Sequence, residues 1–156
     1  NGSLNYTVKG ICIGMKVTWN YTPPTNGGDT FTSIKKGSKA TLKIVQDEKN
    51  GFVKELYIQK EPDIDNRTFE AQLQKTVEQL QITYPFLSVK NKKNGTYLID
   101  IPQEKRLGHE EHFSKVAKAF LHYVHNQDMP EWENENTLAK YYITTTAVEM
   151  AKKGNK

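Results

Sequence analysis

The stretch FTSIKKGSKATLKIVQDEKNGFVKELYIQ, residues 31–59, holds three short runs of strand-forming residues: Phe31 to Ile34, Ala40 to Gln46 and Phe52 to Gln59. Lys35-Lys36-Gly37-Ser38 separates the first two, and Asn50-Gly51 marks a hairpin turn into the third. Connections this short can join only antiparallel neighbours, because a parallel return needs a crossover of a dozen residues or more. The sheet built on this stretch is therefore expected to be antiparallel.

Upstream, Ile11, Ile13, Met15, Val17, Trp19 and Tyr21 fall at alternate positions, which predicts a half-buried strand with one apolar row and Trp19 packed in the core. Cys12 sits within this strand as inert packing. Pro23-Pro24-Thr25-Asn26-Gly27-Gly28-Asp29 cannot continue a ladder and is expected to be a loop. Downstream, Phe69, Leu73, Val77 and Leu80 form a helical stripe from about Asn66 to Thr83, stopped at Tyr84-Pro85. Leu87 to Val89 and Tyr97 to Ile101 flank Lys92-Lys93-Asn94-Gly95, a further hairpin. From His109 onward Phe113, Val116, Ala117, Phe120, Leu121 and Val124 make one wide apolar helix face that must dock on something, and a last helix is expected from about Glu135 to Lys152, capped by Asn134. Strands grouped in hairpins and interrupted by helices, without strict alternation, predict an α+β fold: a largely antiparallel open sheet with about three helices packed on one face.

The 156 residues suit one domain, 1–156, with 36% apolar and 10% aromatic residues to supply a core and one cysteine, too few for a disulfide framework. The formal charge of +4 raises the question of nucleic acid, but the lysines are scattered over turns and the chain end and form no stripe interleaved with aromatics. No apolar run reaches the roughly 18 residues of a membrane span. The expectation is no nucleic acid and no membrane. Asn1, Asn5, Asn20, Asn66 and Asn94 each begin an Asn-x-Ser/Thr sequon, which we read as an accident of Asn-rich composition.

Two constellations can carry chemistry. In Gly108-His109-Glu110-Glu111-His112 the imidazoles stand three residues apart, about 60° around a helix, and could converge on a substrate hydroxyl or a metal. The zinc pattern H-E-x-x-H needs a spacing of four and a third ligand, so the metal reading lacks ligands. The positive end of a helix dipole favours Glu110 and Glu111 and leaves His109 suited to exchanging a proton. The other constellation is the loop Pro24 to Thr30, where glycines let backbone approach a ligand and Asp29 places a carboxylate beside the Thr30 hydroxyl; ordinary turn chemistry explains the same residues.

The run from Arg106 through Gly108-His109-Glu110-Glu111-His112-Phe113 to Met129-Pro130-Glu131-Trp132-Glu133 and Leu138-Ala139-Lys140-Tyr141-Tyr142, with Trp19-Asn20-Tyr21 and Gly27-Gly28-Asp29-Thr30, resembles the C-terminal domain of bacterial oxidoreductases of the glucose-fructose oxidoreductase and inositol dehydrogenase family. The resemblance covers nearly the whole chain and implies the same α+β architecture. It implies an enzyme acting on a sugar or polyol-like substrate with NAD(P), bound by an N-terminal nucleotide-binding domain outside this chain, and self-association through the open sheet. No G-x-G-x-x-G turn follows a strand here, so none of these residues offers the pyrophosphate site. The family's Gly-His-Glu-x-His-Phe run is matched by Gly108, His109, Glu110, His112 and Phe113. His109 is thereby the catalytic candidate, with Asp29, Thr30, Glu110 and His112 facing the substrate. Relatives are expected to carry Gly-Asp-Thr-His where this chain has Gly28-Asp29-Thr30-Phe31, a departure that moves acid–base duty to His109 or to the nucleotide domain. The competing reading is a non-catalytic carbohydrate-binding or interaction module, with Trp19, Tyr21 and the glycine loop as its binding face.

Overall fold

The computed structural model describes residues 1–19, 21–23, 25 and 27–154; the sequon at Asn20 and the loop positions Pro24 and Asn26 lie outside the described residues. Contacts divide the chain into two compact units, residues 22–107 and residues 1–21 with 108–156.

The first unit carries a five-stranded sheet of β3 (Phe31–Lys36), β4 (Ala40–Gln46), β5 (Glu55–Lys60), β6 (Ser88–Asn91) and β7 (Thr96–Asp100) in the order β3-β4-β5-β7-β6. Every neighbouring pair is antiparallel, as the short connections require. Each connection is built from local chemistry. Between β3 and β4, the Gly37 amide donates to the Ala40 carbonyl at 3.0 Å. Between β4 and β5 the chain makes one short 3-10 turn, in which the Asp47 carboxylate accepts from the Lys49 amide and Asn50 Oδ1 accepts from the Asp47 amide, both at 2.9 Å. Gly51 leaves that turn at φ 64°, a left-handed conformation that glycine adopts without steric cost. The Asn50-Gly51 hairpin thus exists, with a longer connection than two residues. Between β6 and β7, Lys93, Asn94 and Gly95 all have positive φ, and the Lys92 amide donates to the Thr96 carbonyl at 2.8 Å.

Registers place Ile44 opposite Leu56, Leu42 opposite Ile58, Leu56 opposite Ile99 and Val89 opposite Ile99, so alternate residues of four strands make one apolar face. Helix α1 (Asn66–Gln81) lies on that face, with Val77 only 3% exposed in a core cluster with Leu87 and Ile99, flanked by Leu56, Ile58, Leu73 and Val89. Asp65 caps α1 by accepting from the Thr68 amide at 2.8 Å. At the helix flank, Phe69 packs on Tyr97 with ring centroids 5.6 Å apart, and Glu70 accepts from the Tyr97 hydroxyl at 2.9 Å and from Asn91 at 3.2 Å. The other face of the sheet carries Thr41, Val45, Tyr57, Gln59 and Leu98.

In the second unit, β1 (Gly2–Val8) and β2 (Ile11–Val17) form a hairpin turned by Lys9 and Gly10, both at positive φ as a two-residue type I′ turn demands. Leu4 faces Met15, Tyr6 faces Ile13 and Val8 faces Ile11, so one side of the hairpin is apolar throughout, while Ser3, Asn5, Thr7, Cys12 and Lys16 take the other. Two sequence expectations are corrected here. The strand predicted to reach Tyr21 ends at Val17, and it is not half-buried: Ile11 is 67% exposed and Trp19, expected in the core, is 85% exposed. A two-stranded ribbon has only one neighbour per strand, so its apolar row is exposed toward Ile11 and Met15 and only partly covered at Leu4, Tyr6 and Ile13. Cys12 is exposed as well, its Sγ 3.9 Å from Thr7 Oγ1, and is not core packing.

The same unit contains α2 (His109–Asn126) and α3 (Glu131–Gly154). Helix α2 occupies the predicted place and ends where Gln127 turns left-handed at φ 56°. Helix α3 begins four residues before the expected Glu135, so Asn134 lies inside it and is no cap. Pro130 fixes the preceding backbone and its carbonyl already accepts from the Glu133 amide at 3.0 Å, which starts the helix earlier. Among the described residues no helix is long and apolar enough to cross a membrane.

Candidate functional site

The residues singled out in the sequence fall in both units. Asp29 and Thr30 belong to the sheet-bearing unit, immediately before β3, and both are exposed. Their surroundings are built by packing at one end of the sheet. Gly28 lies against the Phe52 side chain, where an added Cβ would stand 3.4 Å from Phe52 Cβ, an ordinary contact. Phe31, the departure from the expected histidine, carries the Lys54 ammonium over its ring at 5.1 Å. Arg106 ties this corner together, donating from Nη1 to the Lys54 carbonyl at 2.6 Å and from Nε to the Ile101 carbonyl at 3.1 Å. Asp29 and Thr30 thus lie immediately before a strand whose first residue, Phe31, carries the Lys54 ammonium. That combination suits a hydroxylated ligand.

His109, Glu110 and His112 occupy the first turn of α2, and all three are exposed. The two glutamates have separate fates. Glu111 reaches back to accept from the Gly108 amide at 2.8 Å and closes the helix start, which leaves Glu110 as the free carboxylate beside His109. His109 sits edge-on to Phe113 with ring centroids 4.9 Å apart, a contact that restricts the imidazole's orientation. His112 holds the turn through its amide, 3.1 Å from the Gly108 carbonyl. A positioned imidazole with a neighbouring carboxylate and a second imidazole one turn away can take up or deliver a proton at a substrate oxygen. Among the described residues no three of His, Cys, Asp and Glu gather closely enough to hold a metal ion.

Two polar pairs were not brought forward by the sequence. His122 Nε2 lies 3.0 Å from Asp128 Oδ2 and its ring also meets Asn126, but these exposed groups finish the C-terminal turn of α2. The His122-to-Asn126 spacing of four was the available signal. On the sheet, the Tyr57 hydroxyl donates to Glu55 at 2.5 Å. That bond, burial, and the charges of Glu55 and Asp47 push the phenol up to about 12. Alternation along β5 places these two residues on the same face. Of the aromatics, Trp132 is 54% exposed in the first turn of α3.

Comparison with known proteins places this chain. The family model described as "Putative oxidoreductase C terminal domain" matches residues 1–152. A search of curated proteins found no match. Among solved structures, the crystal structure of a putative oxidoreductase from Parabacteroides merdae ATCC 43184 is similar with a TM-score of 0.92 at 39% identity, over 96% of this chain and 34% of that one. The chain therefore spans about a third of the length of that relative. With a match over residues 1–152, the chain belongs to the putative oxidoreductase C-terminal domain family.

Proposed function

We propose that residues 1–156 are the substrate-side domain of an NAD(P)-dependent oxidoreductase acting on a sugar or polyol-like hydroxyl. The observation that carries this reading is the similarity to one third of a longer oxidoreductase, at 39% identity, by a chain that has no glycine-rich strand–turn–helix of its own. These residues do not fit a dinucleotide, so the nicotinamide belongs to a nucleotide-binding domain outside them, where it would accept or return the hydride. The part assigned to this chain is the proton and the grip. His109 takes the proton from the substrate hydroxyl as its carbon is oxidised and returns it in the reverse direction. Glu110 and His112 hold neighbouring hydroxyls, and Asp29 and Thr30, in the other compact unit, are a separate candidate grip for a hydroxyl.

Reading the native gene immediately upstream of the Asn1 codon tests the assignment. An in-frame domain opening with a strand, a G-x-G-x-x-G turn and a helix is the expected result, and a reading frame that starts close to Asn1 would sink it. In the longer protein, His109→Ala should lower turnover about 100-fold or more, in the range of a lost general acid–base group, with NAD(P) affinity unchanged. Unchanged turnover would remove His109 from the site. The exposure of Trp19, at 85%, favours one second reading, a non-catalytic carbohydrate-binding module. That reading requires saturable quenching of tryptophan fluorescence when sugars are added to residues 1–156 alone.

A further inference from the structure

The chain contains four Asn-Gly pairs, at residues 1–2, 26–27, 50–51 and 94–95. In such a pair the glycine carries no Cβ to hinder its neighbour, so its backbone nitrogen can reach the asparagine carboxamide carbon. We infer that Asn94, at the tip of the β6–β7 hairpin, is a site of spontaneous deamidation by water, and that the fold protects Asn50 from the same reaction. The step balances without a cofactor. The Gly95 nitrogen gives up its proton and attacks Asn94 Cγ, the bond from Cγ to Nδ2 breaks, and ammonia leaves with a proton from solvent. Water then opens the cyclic imide at one carbonyl or the other, giving aspartate or isoaspartate, so that water is consumed and ammonia released.

Hydrogen bonding separates the two pairs. Asn50 is half-buried and held at both ends of its carboxamide, where Oδ1 accepts from the Asp47 amide and Nδ2 donates to the Val45 carbonyl, both at 2.9 Å. The attacking nitrogen is engaged as well, since the Gly51 amide donates to the Glu48 carbonyl at 3.2 Å. Reaction at Asn50 must break all of these bonds. Asn94 is exposed, and among the described residues neither its carboxamide nor the Gly95 amide has a hydrogen-bond partner. This tip is held through its carbonyls instead: Gln59 Nε2 donates to that of Asn94 at 3.1 Å, and the Lys60 amide to that of Gly95 at 2.8 Å. Strand β6 is a four-residue border strand, so the swing that brings the Gly95 nitrogen onto Cγ disturbs one neighbouring strand and needs only local opening. Either product sets a carboxylate beside Lys92 and Lys93, and isoaspartate also lengthens the main chain next to the carbonyl that receives the Lys60 amide. Of the other two pairs, Asn1 Oδ1 accepts from the Trp19 amide at 2.9 Å, and Asn26 lies outside the described residues.

The test incubates the full product of the native gene in mildly alkaline buffer made with heavy-oxygen water and maps its peptides by fragmentation mass spectrometry at intervals. In the folded protein, residue 94 should become an acid roughly ten-fold or more faster than residue 50, as a mixture of aspartate and isoaspartate carrying the heavy label. The same incubation in urea is the control, because Lys49-Asn50-Gly51 and Lys93-Asn94-Gly95 are the same tripeptide. Without the fold, the two asparagines should convert at similar rates. Equal rates in the folded protein overturn the inference, as does a residue 94 that stays an amide there while converting in urea. A preference for residue 94 that persists undiminished in urea also overturns it, since the cause would then lie in the sequence and not in the hydrogen bonds. Neither readout involves nucleotide or turnover, so a failure here leaves the function proposed above standing.

Discussion

Tyr57 and Glu55 stand two residues apart on one strand, and their hydrogen bond is available only while the phenol keeps its proton. Its ordinary value of 10 rises to about 12, first through the bond to Glu55, then through burial and the charges of Glu55 and Asp47. Because the folded value lies above the unfolded one, the stabilisation is complete below pH 10 and is lost as pH rises through 12. Tyr97 shifts in the same direction, chiefly by burial and then by its bond to Glu70. Urea titrations between pH 9 and 12 should therefore show stability falling with pH, and Tyr57→Phe should flatten that fall while leaving the smaller part due to Tyr97. A slope identical in wild type and Tyr57→Phe would mean that the phenol contributes nothing. At the other end of the scale, the bond from the Thr68 amide holds the Asp65 carboxyl below the usual range, so its stabilisation of the α1 start is present above pH 3.8 and is lost as acid protonates it in the folded chain.

At the scale of elements, Lys60 decides how β5 hands over to α1. Its side chain is buried, with 8% of the residue exposed, and the ammonium donates to the carbonyls of Glu61, Pro62 and Ile64, bracing the turn that ends at the Asp65 cap. Lys60→Met keeps the aliphatic stem and removes the donors. It should cost about 2 kcal/mol, the scale of leaving buried acceptors unpaired, and loosen amides 61–68 in hydrogen exchange. A loss under 0.5 kcal/mol would mean that water replaces the ammonium. This staple was not legible in the sequence, where Lys60 looks like a surface lysine before Pro62, whereas α1, α2 and the strands of residues 31–59 were. The difference is physical. Periodicity reports which face of an element is apolar and turn residues report where it stops, but neither says whether a lysine finds three carbonyls. The first strand was missed although Leu4, Tyr6 and Val8 alternate, because a Lys9-Gly10 turn lacks the Asn-Gly or Asp-Gly signature. In the candidate site, the Gly108-to-Glu111 spacing already contained the cap that separates Glu111 from Glu110. The bond from Arg106 to the Lys54 carbonyl joins residues 52 positions apart and left no local trace.

Across the whole molecule, burial is uneven. Among the described residues, the buried ones, Thr41, Lys60, Val77, Leu87, Tyr97, Leu98 and Ile99, all belong to residues 22–107. Cooperative stability should therefore come from this unit. Leu87 touches the cluster from the turn after α1, where its carbonyl accepts from Gln81 at 2.6 Å. Leu87→Ala should cost about 2–4 kcal/mol by the transfer and cavity terms of a core leucine, read as a lower urea midpoint at unchanged slope. A change below 1 kcal/mol would show that the cluster repacks freely.

The strand order gives the five-stranded sheet two free borders, β3 and β6, and both carry lysine: Lys35 and Lys36 on one, Lys90 on the other. Backbone groups along a free border can template another strand, and polymer growth by that route must bring like-charged chains into register. Lysine on an edge strand disfavours such in-register addition, and of these three Lys90 is already paired with Asp100 at 2.6 Å, which leaves Lys35 and Lys36 as the repelling charges of the β3 border.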